Sequence, residues 1–250
     1  MNDKLQAEGR ARRRLLALGA GGLATLAGGR PAAALCGLYP QAEVLEFQAL
    51  RQGGAVGWRR IAFLREAGSL LVRSDSDLRL ASGEPFRQRV EELWEEGWLV
   101  ALTADTWQAG AQHSLRAERL PGSGPAVGGP GEGGPGEGGA AWSGHGGGLA
   151  GVAGRLRFNV SGFVIATTFW HRDTPHAEAL LSVVDGLTKV ISSRTLPNAE
   201  IDLEGRSLPA RGWQIRGEWP CAVWYDRDCT LLRIARPEAE GTTLTFERRA

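Results

Sequence analysis

SLLVRSDSDL, residues 69–78, decides the fold. Leu70, Val72 and Leu78 fall on one side of an extended chain, and Arg73, Asp75 and Asp77 on the other. Successive side chains of a strand point to opposite faces, so this period of two predicts a strand with one face buried and one in water. A helical period of 3.6 would mix the two sets.

The same alternation recurs on both sides of this stretch. Leu45, Phe47 and Ala49 oppose Glu46 and Gln48; Leu156, Phe158 and Val160 oppose Arg155, Arg157 and Asn159. Trp213, Ile215 and Trp219 oppose Gln214, Arg216 and Glu218, and Leu244 and Phe246 oppose Thr243, Thr245 and Glu247. Glycine-bearing turn signals separate the runs: Gln52-Gly53-Gly54, Glu66-Ala67-Gly68, Glu96-Gly97, Gln108-Ala109-Gly110, Asp185-Gly186, Glu204-Gly205 and Glu240-Gly241. Closely spaced strands with no helical pattern between them predict an all-β fold: one strongly curved antiparallel sheet or partly open β-barrel. One short helical turn is expected at 175–179, with Thr174 as its cap and Pro175 at its first position. A hairpin of Leu180–Val184 and Leu187–Ser193 around Asp185-Gly186 should follow it.

The 36 glycines of this 250-residue chain are unevenly placed. Fourteen lie in residues 121–150, where Gly129-Pro130-Gly131-Glu132-Gly133 is repeated as Gly134-Pro135-Gly136-Glu137-Gly138. This segment has no apolar surface to offset its ordering entropy, so it reads as a disordered insert between neighbouring strands of a single β domain spanning 35–250. Trp142 and His145 at its end are expected to be solvated.

Residues 1–34 read as a targeting segment. Arg10, Arg12, Arg13 and Arg14 precede Leu15–Gly29, a stretch too short and too weakly apolar to span a bilayer. Pro31-Ala32-Ala33-Ala34 supplies the small residues a signal peptidase needs, and the adjacent arginines are similar to a twin-arginine signal. Cleavage after Ala34 would leave 23 basic and 26 acidic residues. That balance lacks the cationic surface from which nucleic-acid affinity comes. No further stretch suits a membrane-spanning helix. A periplasmic or otherwise exported protein is expected, with a twin-arginine leader and no spanning segment after cleavage. Cys36, Cys221 and Cys229 then stand in an oxidising compartment. A hairpin centred on Arg227-Asp228 would set Asp226 against Cys229 and Cys221 against Ile234, beyond disulfide reach of each other. A bridge from Cys36 to either, or three free thiols, stays open.

The densest polar run is Thr167-Thr168-Phe169-Trp170-His171-Arg172-Asp173-Thr174-Pro175-His176. His171, Asp173 and His176 are of metal-ligating type, but no H-x-x-x-H pairing exists and a Thr-Pro break lies between the histidines. G-x-S-x-G, P-loop, H-E-x-x-H and C-x-x-C patterns are absent, and no G-x-G-x-x-G follows a predicted strand. Glu91-Glu92 and Glu95-Glu96, around Trp94, read as a solvated rim rather than a catalytic carboxylate pair. The tryptophans Trp58, Trp94, Trp98, Trp107, Trp170, Trp213, Trp219 and Trp224 fall in strands or at their ends, as the core or an apolar pocket of a curved sheet would require.

Val44-Leu45-Glu46-Phe47 with the turn at Gly53…Gly57, Leu93–Leu102, Thr167-Thr168-Phe169-Trp170-His171 and Ala222-Val223-Trp224-Tyr225-Asp226 together resemble an uncharacterised family of exported bacterial proteins, a domain of unknown function. The resemblance covers about 40–120 and 151–247, and the Thr-Thr-Phe-Trp block is its least generic part. The Gly-Pro-Glu repeat is no part of the pattern, and Cys229 stands where a turn glycine is usual. The family is similar to the curved antiparallel sheets of periplasmic lipoprotein carriers, and it implies no established activity. The function expected is that of an envelope protein, with no cofactor, that binds or carries an apolar, lipid-like ligand in the concave sheet. Thr167, Thr168, Trp170 and His171 are the expected ligand-binding residues at the mouth. The alternatives are a metal-dependent hydrolase built on His171, Asp173 and His176, and a structural module that binds a protein partner through a sheet edge.

Overall fold

A computed structural model describes residues 39–119, 139–147, 153–161, 164–238 and 241–250; for 139–147 and 153–161 it describes the backbone pairing alone. Residues 1–34, read as a leader from the sequence, Cys36 and the Gly-Pro-Glu repeat lie outside the described residues.

Among the described residues sixteen strands form in chain order: β1 Val44–Arg51, β2 Gly54–Glu66, β3 Ser69–Arg79, β4 Pro85–Glu95, β5 Trp98–Gln108, β6 Ala111–Arg119, β7 Gly139–Gly147, β8 Ala153–Ser161, β9 Ile165–Ala166, β10 Ala179–Leu181, β11 Thr188–Thr195, β12 Ala199–Leu203, β13 Arg206–Gly217, β14 Cys221–Tyr225, β15 Leu231–Pro237 and β16 Thr243–Arg248. They follow one hydrogen-bonded path, β8-β7-β6-β5-β4-β3-β2-β1-β16-β15-β14-β13-β11-β10-β9, with β12 paired to β13. The chain's last strand closes onto its first, Ala49 facing Phe246, so two meanders join into one open sheet. Every pairing is antiparallel except β9 with β10. The fold is therefore all-β, an open curled sheet, and its helical turn is a single 3₁₀ turn at Thr174–His176 with Pro175 in its first turn, starting one residue earlier than expected, with Asp173 rather than Thr174 at the cap position.

Turn chemistry agrees with this path. Gln52-Gly53, Glu96-Gly97, Ala109-Gly110 and Glu204-Gly205 each place two consecutive residues at positive φ. That is the signature of the two-residue hairpin turn whose twist matches the strands it joins. The sequence SLLVRSDSDL is β3, with Leu70, Val72, Ser74, Ser76 and Leu78 buried in strict alternation.

The inner faces of β1–β6 share one core with Ile165, Trp170, Leu180, Ile215, Val223, Tyr225, Ile234 and Leu244. On the outer face, Glu46, Arg60, Asp75, Arg89, Asp105 and Ser114 stand opposite one another across six strands. Arg89 binds Asp75 at 2.9 Å, and Arg73 binds Glu91 in the adjacent row at 2.9 Å. Charges facing lipid cost about 2–4 kcal/mol each near the bilayer centre, so this face belongs in water. Among the described residues no helix is long and apolar enough to cross a membrane. The β12–β13 hairpin builds a second small cluster, in which Ile201, Leu203, Ala210 and Leu232 pack with Leu208 and Trp224.

Three local expectations are corrected. Residues 139–147, read above as the end of the insert, form β7 between β6 and β8. A strand of Gly, Ala, Ser, Trp and His carries almost no side-chain pattern, and its identity comes from backbone pairing with the alternating β8. In the β14–β15 hairpin Val223, not Cys221, faces Ile234. Asp226 accepts the Cys229 N–H and donates to Thr230 O, while Cys229 takes a φ of 62°, so the turn is longer than a two-residue one. Cys221 and Cys229 are nevertheless both free. Trp219 lies beyond the end of β13, which stops at Gly217, although it packs against the main core.

Candidate functional site

β4 is the origin of the site. Its turn at Glu96-Gly97 fixes the register, and period two then puts Val90, Glu92 and Trp94 on the inner face. Glu92 is 1% exposed. Its carboxylate accepts the Trp94 indole N–H at 3.0 Å on Oε2, and the Thr168 hydroxyl at 2.7 Å and Trp170 indole N–H at 3.1 Å on Oε1. Burial pushes the Glu92 pKa up, and the three donors and the Arg59 charge oppose that shift.

Arg59, also buried, is the counter-charge. Its Nε donates to Ser74 Oγ at 3.1 Å and its terminal nitrogen to the Thr168 carbonyl at 2.7 Å. Burial lowers its pKa to about 10, so it remains a cation at neutral pH. Thr168 therefore meets both charges, its hydroxyl on Glu92 and its carbonyl on Arg59.

The segment that delivers Thr168 and Trp170 bends sharply between them. Phe169 has φ 62°, a left-handed conformation that costs a bulky residue about 1–3 kcal/mol. The bend lets Thr168 and Trp170, on either side, reach the same carboxylate oxygen. Tyr225 Oη holds it, donating within reach of the Phe169 carbonyl at 2.8 Å and the His171 carbonyl at 3.2 Å. Beyond it, the His171 ring stacks on Trp94, with centroids 5.0 Å apart and planes 7° from parallel. Its Nδ1 accepts the Asp173 N–H at 3.2 Å, which places any proton of the neutral ring on Nε2. Burial, with the nearby Arg172 charge, lowers the His171 pKa to about 3, so the ring is neutral.

Thr167, Thr168, Trp170 and His171 are thus brought together, but not at a mouth: they are 5%, 1%, 0% and 0% exposed. Thr167 Oγ1 accepts the Val183 N–H at 3.2 Å. The groups expected to orient a ligand bind protein instead, because the sheet curls over them. His176 is exposed and packs edge-on to Trp213, away from the aromatic cluster. Among the described residues no three His, Cys, Asp or Glu side chains are grouped to hold a metal.

The reading of Glu92 as part of a solvated rim is also corrected. Counting back by twos from Trp94 places it inside, a signal obscured by its acidic neighbours Glu91, Glu95 and Glu96. Arg59 was reachable in the same way, since it shares a face with Ile61 and Phe63.

Along the inner face, burial is complete at this level and mixed nearer the Gln52-Gly53, Ala81–Glu84 and Ala109-Gly110 turns, where Ala49 and Leu78 are buried but Phe86 in the same row is only half-buried. There Arg59, Ser76, Gln88, Thr106 and His113 oppose one another in one cross-strand row. Gln88 donates to Thr106 Oγ1 at 3.0 Å. Gln88 and His113 are half-buried, as are Val56, Leu80 and Phe86 beyond them.

Fold and site define a curled antiparallel sheet whose interior is pinned by one buried carboxylate. A crystal structure of a beta-barrel-like protein of domain of unknown function DUF1849 from Brucella abortus has the same kind of fold, with a TM-score of 0.53 at 7% identity, covering 85% of this chain and 96% of that one. The chain belongs to the family DUF6134, a domain of unknown function, whose pattern matches residues 47–249. No curated protein matches it.

Proposed function

We propose that this is an exported, non-catalytic envelope protein that binds an apolar, lipid-like ligand against the inner face of β1–β6. The ligand would enter at the Phe86 end rather than at the Thr167–His171 block. The observation that carries this reading is the gradient along the inner face. Trp94 and Trp170 are wholly buried at one level, while Phe86, Leu80 and Val56 are only half-buried at the other. Between them lies a polar row, Arg59, Ser76, Gln88, Thr106 and His113. An apolar chain with one polar end matches such a lining, since apolar contact supplies affinity and a few placed polar groups supply orientation. The Glu92 cluster is the floor of this site, not its reactive centre. Its carboxylate is engaged by three donors of the protein itself.

Native mass spectrometry of the exported protein tests the reading. A co-purifying lipid-sized adduct that is lost on Phe86→Asp substitution is the expected result. An adduct-free protein that also takes up no fatty acid or phospholipid when offered them overturns it.

A further inference from the structure

The outer face carries a row that none of the above uses. Gln48, Trp58, Asp77, Arg87, Trp107 and Gln112 stand directly opposite one another across β1–β6. Trp58 is 47% exposed and Trp107 37%. Both are large indoles left in water by a chain that buries Trp94 and Trp170 completely. Between them, Arg87 Nε holds Asp77 Oδ2 at 2.8 Å. Three strand spacings separate the two tryptophans, about 14 Å.

Several ligand classes can be weighed against this row. An anionic polymer is disfavoured, because each arginine here is matched by a carboxylate, Arg87 by Asp77 in this row and Arg60 and Arg89 by Glu46 and Asp75 in the ionic row two residues along. A bilayer surface is disfavoured by the same density of charge. A neutral polyhydroxylated chain fits each part of the row. The C–H faces of a sugar ring pack on an indole, as apolar groups do, while its hydroxyls find carboxylate and amide acceptors and guanidinium and amide donors between and beyond. Two platforms this far apart suit an oligosaccharide lying across the strands better than a single sugar.

We propose that this outer row is a binding site for a neutral polysaccharide, with Trp58 and Trp107 as stacking platforms and Asp77, Arg87 and the flanking glutamines as hydrogen-bonding groups. It is independent of the ligand proposed for the inner face. For an exported protein it would place the molecule on a glycan of the envelope.

The test is calorimetric titration of the intact protein with chitohexaose and cellohexaose, together with co-sedimentation on an insoluble neutral β-glucan. The wild type is expected to bind at least one. Trp58→Ala or Trp107→Ala should weaken binding about tenfold each, and the double variant should abolish it. All variants should stay folded with at most a modest drop in melting temperature, because both side chains are partly in water, and Trp58→Phe should retain part of the affinity. No binding to any of the three glycans overturns the proposal. So does equal binding by the double variant, or loss of an envelope protein from the double variant's pull-downs with no glycan bound by the wild type.

Discussion

The Thr168 hydroxyl donates to the Glu92 carboxylate at 2.7 Å, joining the centre of β4 to a segment 76 residues further along the chain. Two indoles share that carboxylate, so one acidic side chain ties the crossing segment to the sheet. With three of its roughly four lone-pair sites taken by protein donors, the carboxylate serves to hold the crossing segment, and the cluster acts as a lock.

Glu92→Ala would leave the Thr168, Trp94 and Trp170 donors buried without an acceptor. Each buried unsatisfied group costs about 1–3 kcal/mol, so a loss of about 3 kcal/mol or more is expected in urea unfolding. Glu92→Gln keeps one carbonyl acceptor and should lose less. Equal, small losses for both would show that the lock contributes little.

His171 gives the protein an acid limit. Its folded pKa of about 3 lies below the 6.5 of the unfolded chain. The unfolded state therefore takes up a proton as pH falls below about 6.5, and the folded state does not until about 3. Stability from this group is complete above the first value and declines between the two, by up to about 1.4 kcal/mol per pH unit. Glu92, with its pKa raised, works in the opposite sense: its contribution is full below the unfolded carboxylate value and fades as pH rises through the folded one. Stability against pH, measured for the wild type and His171→Gln, should differ most between pH 6.5 and 3. Parallel curves would contradict this account of the ring.

Tyr225→Phe removes the hydroxyl that meets the Phe169 and His171 carbonyls, with little change of shape. About 1–2 kcal/mol of destabilisation is expected by thermal or chemical unfolding. The substitution should also raise hydrogen exchange in 167–173, since it releases the bend at Phe169. Unchanged exchange there would mean that packing alone holds the bend.

Gly57→Ala tests the sheet itself. A Cβ at this position would stand 2.2 Å from the Asp77 carbonyl oxygen and 2.5 Å from Leu78 Cα, both backbone atoms. Relief requires β2 and β3 to part, so a loss of about 1–3 kcal/mol, the usual range for overpacking, is the expected minimum in urea unfolding. A variant as stable as the wild type would contradict the pairing described here.

The sequence made the fold legible where one face of a strand is oily and the other charged, as in Leu70–Leu78, and where turns carry glycine. It failed at β7, whose Gly- and Ala-rich composition has no faces to compare. The block Thr167–His171 stood out by its density of polar and aromatic residues, and the structure does bring these side chains together. Its burial was not legible, because that depends on how far the sheet curls. Glu92 and Arg59 were hidden for a different reason. A charge inside is expensive alone and acceptable only with partners, and those partners lie as far off as Thr168, visible only once the chain is folded.

The central claim, that an apolar ligand lies against the inner face at the Phe86 end, is tested most directly by site-specific photo-crosslinking in the envelope. A benzophenone side chain at Phe86 should capture a lipid-sized mass. The same group at Leu71, on the outer face of β3, should capture none. Capture at neither position, or at both alike, would contradict the account.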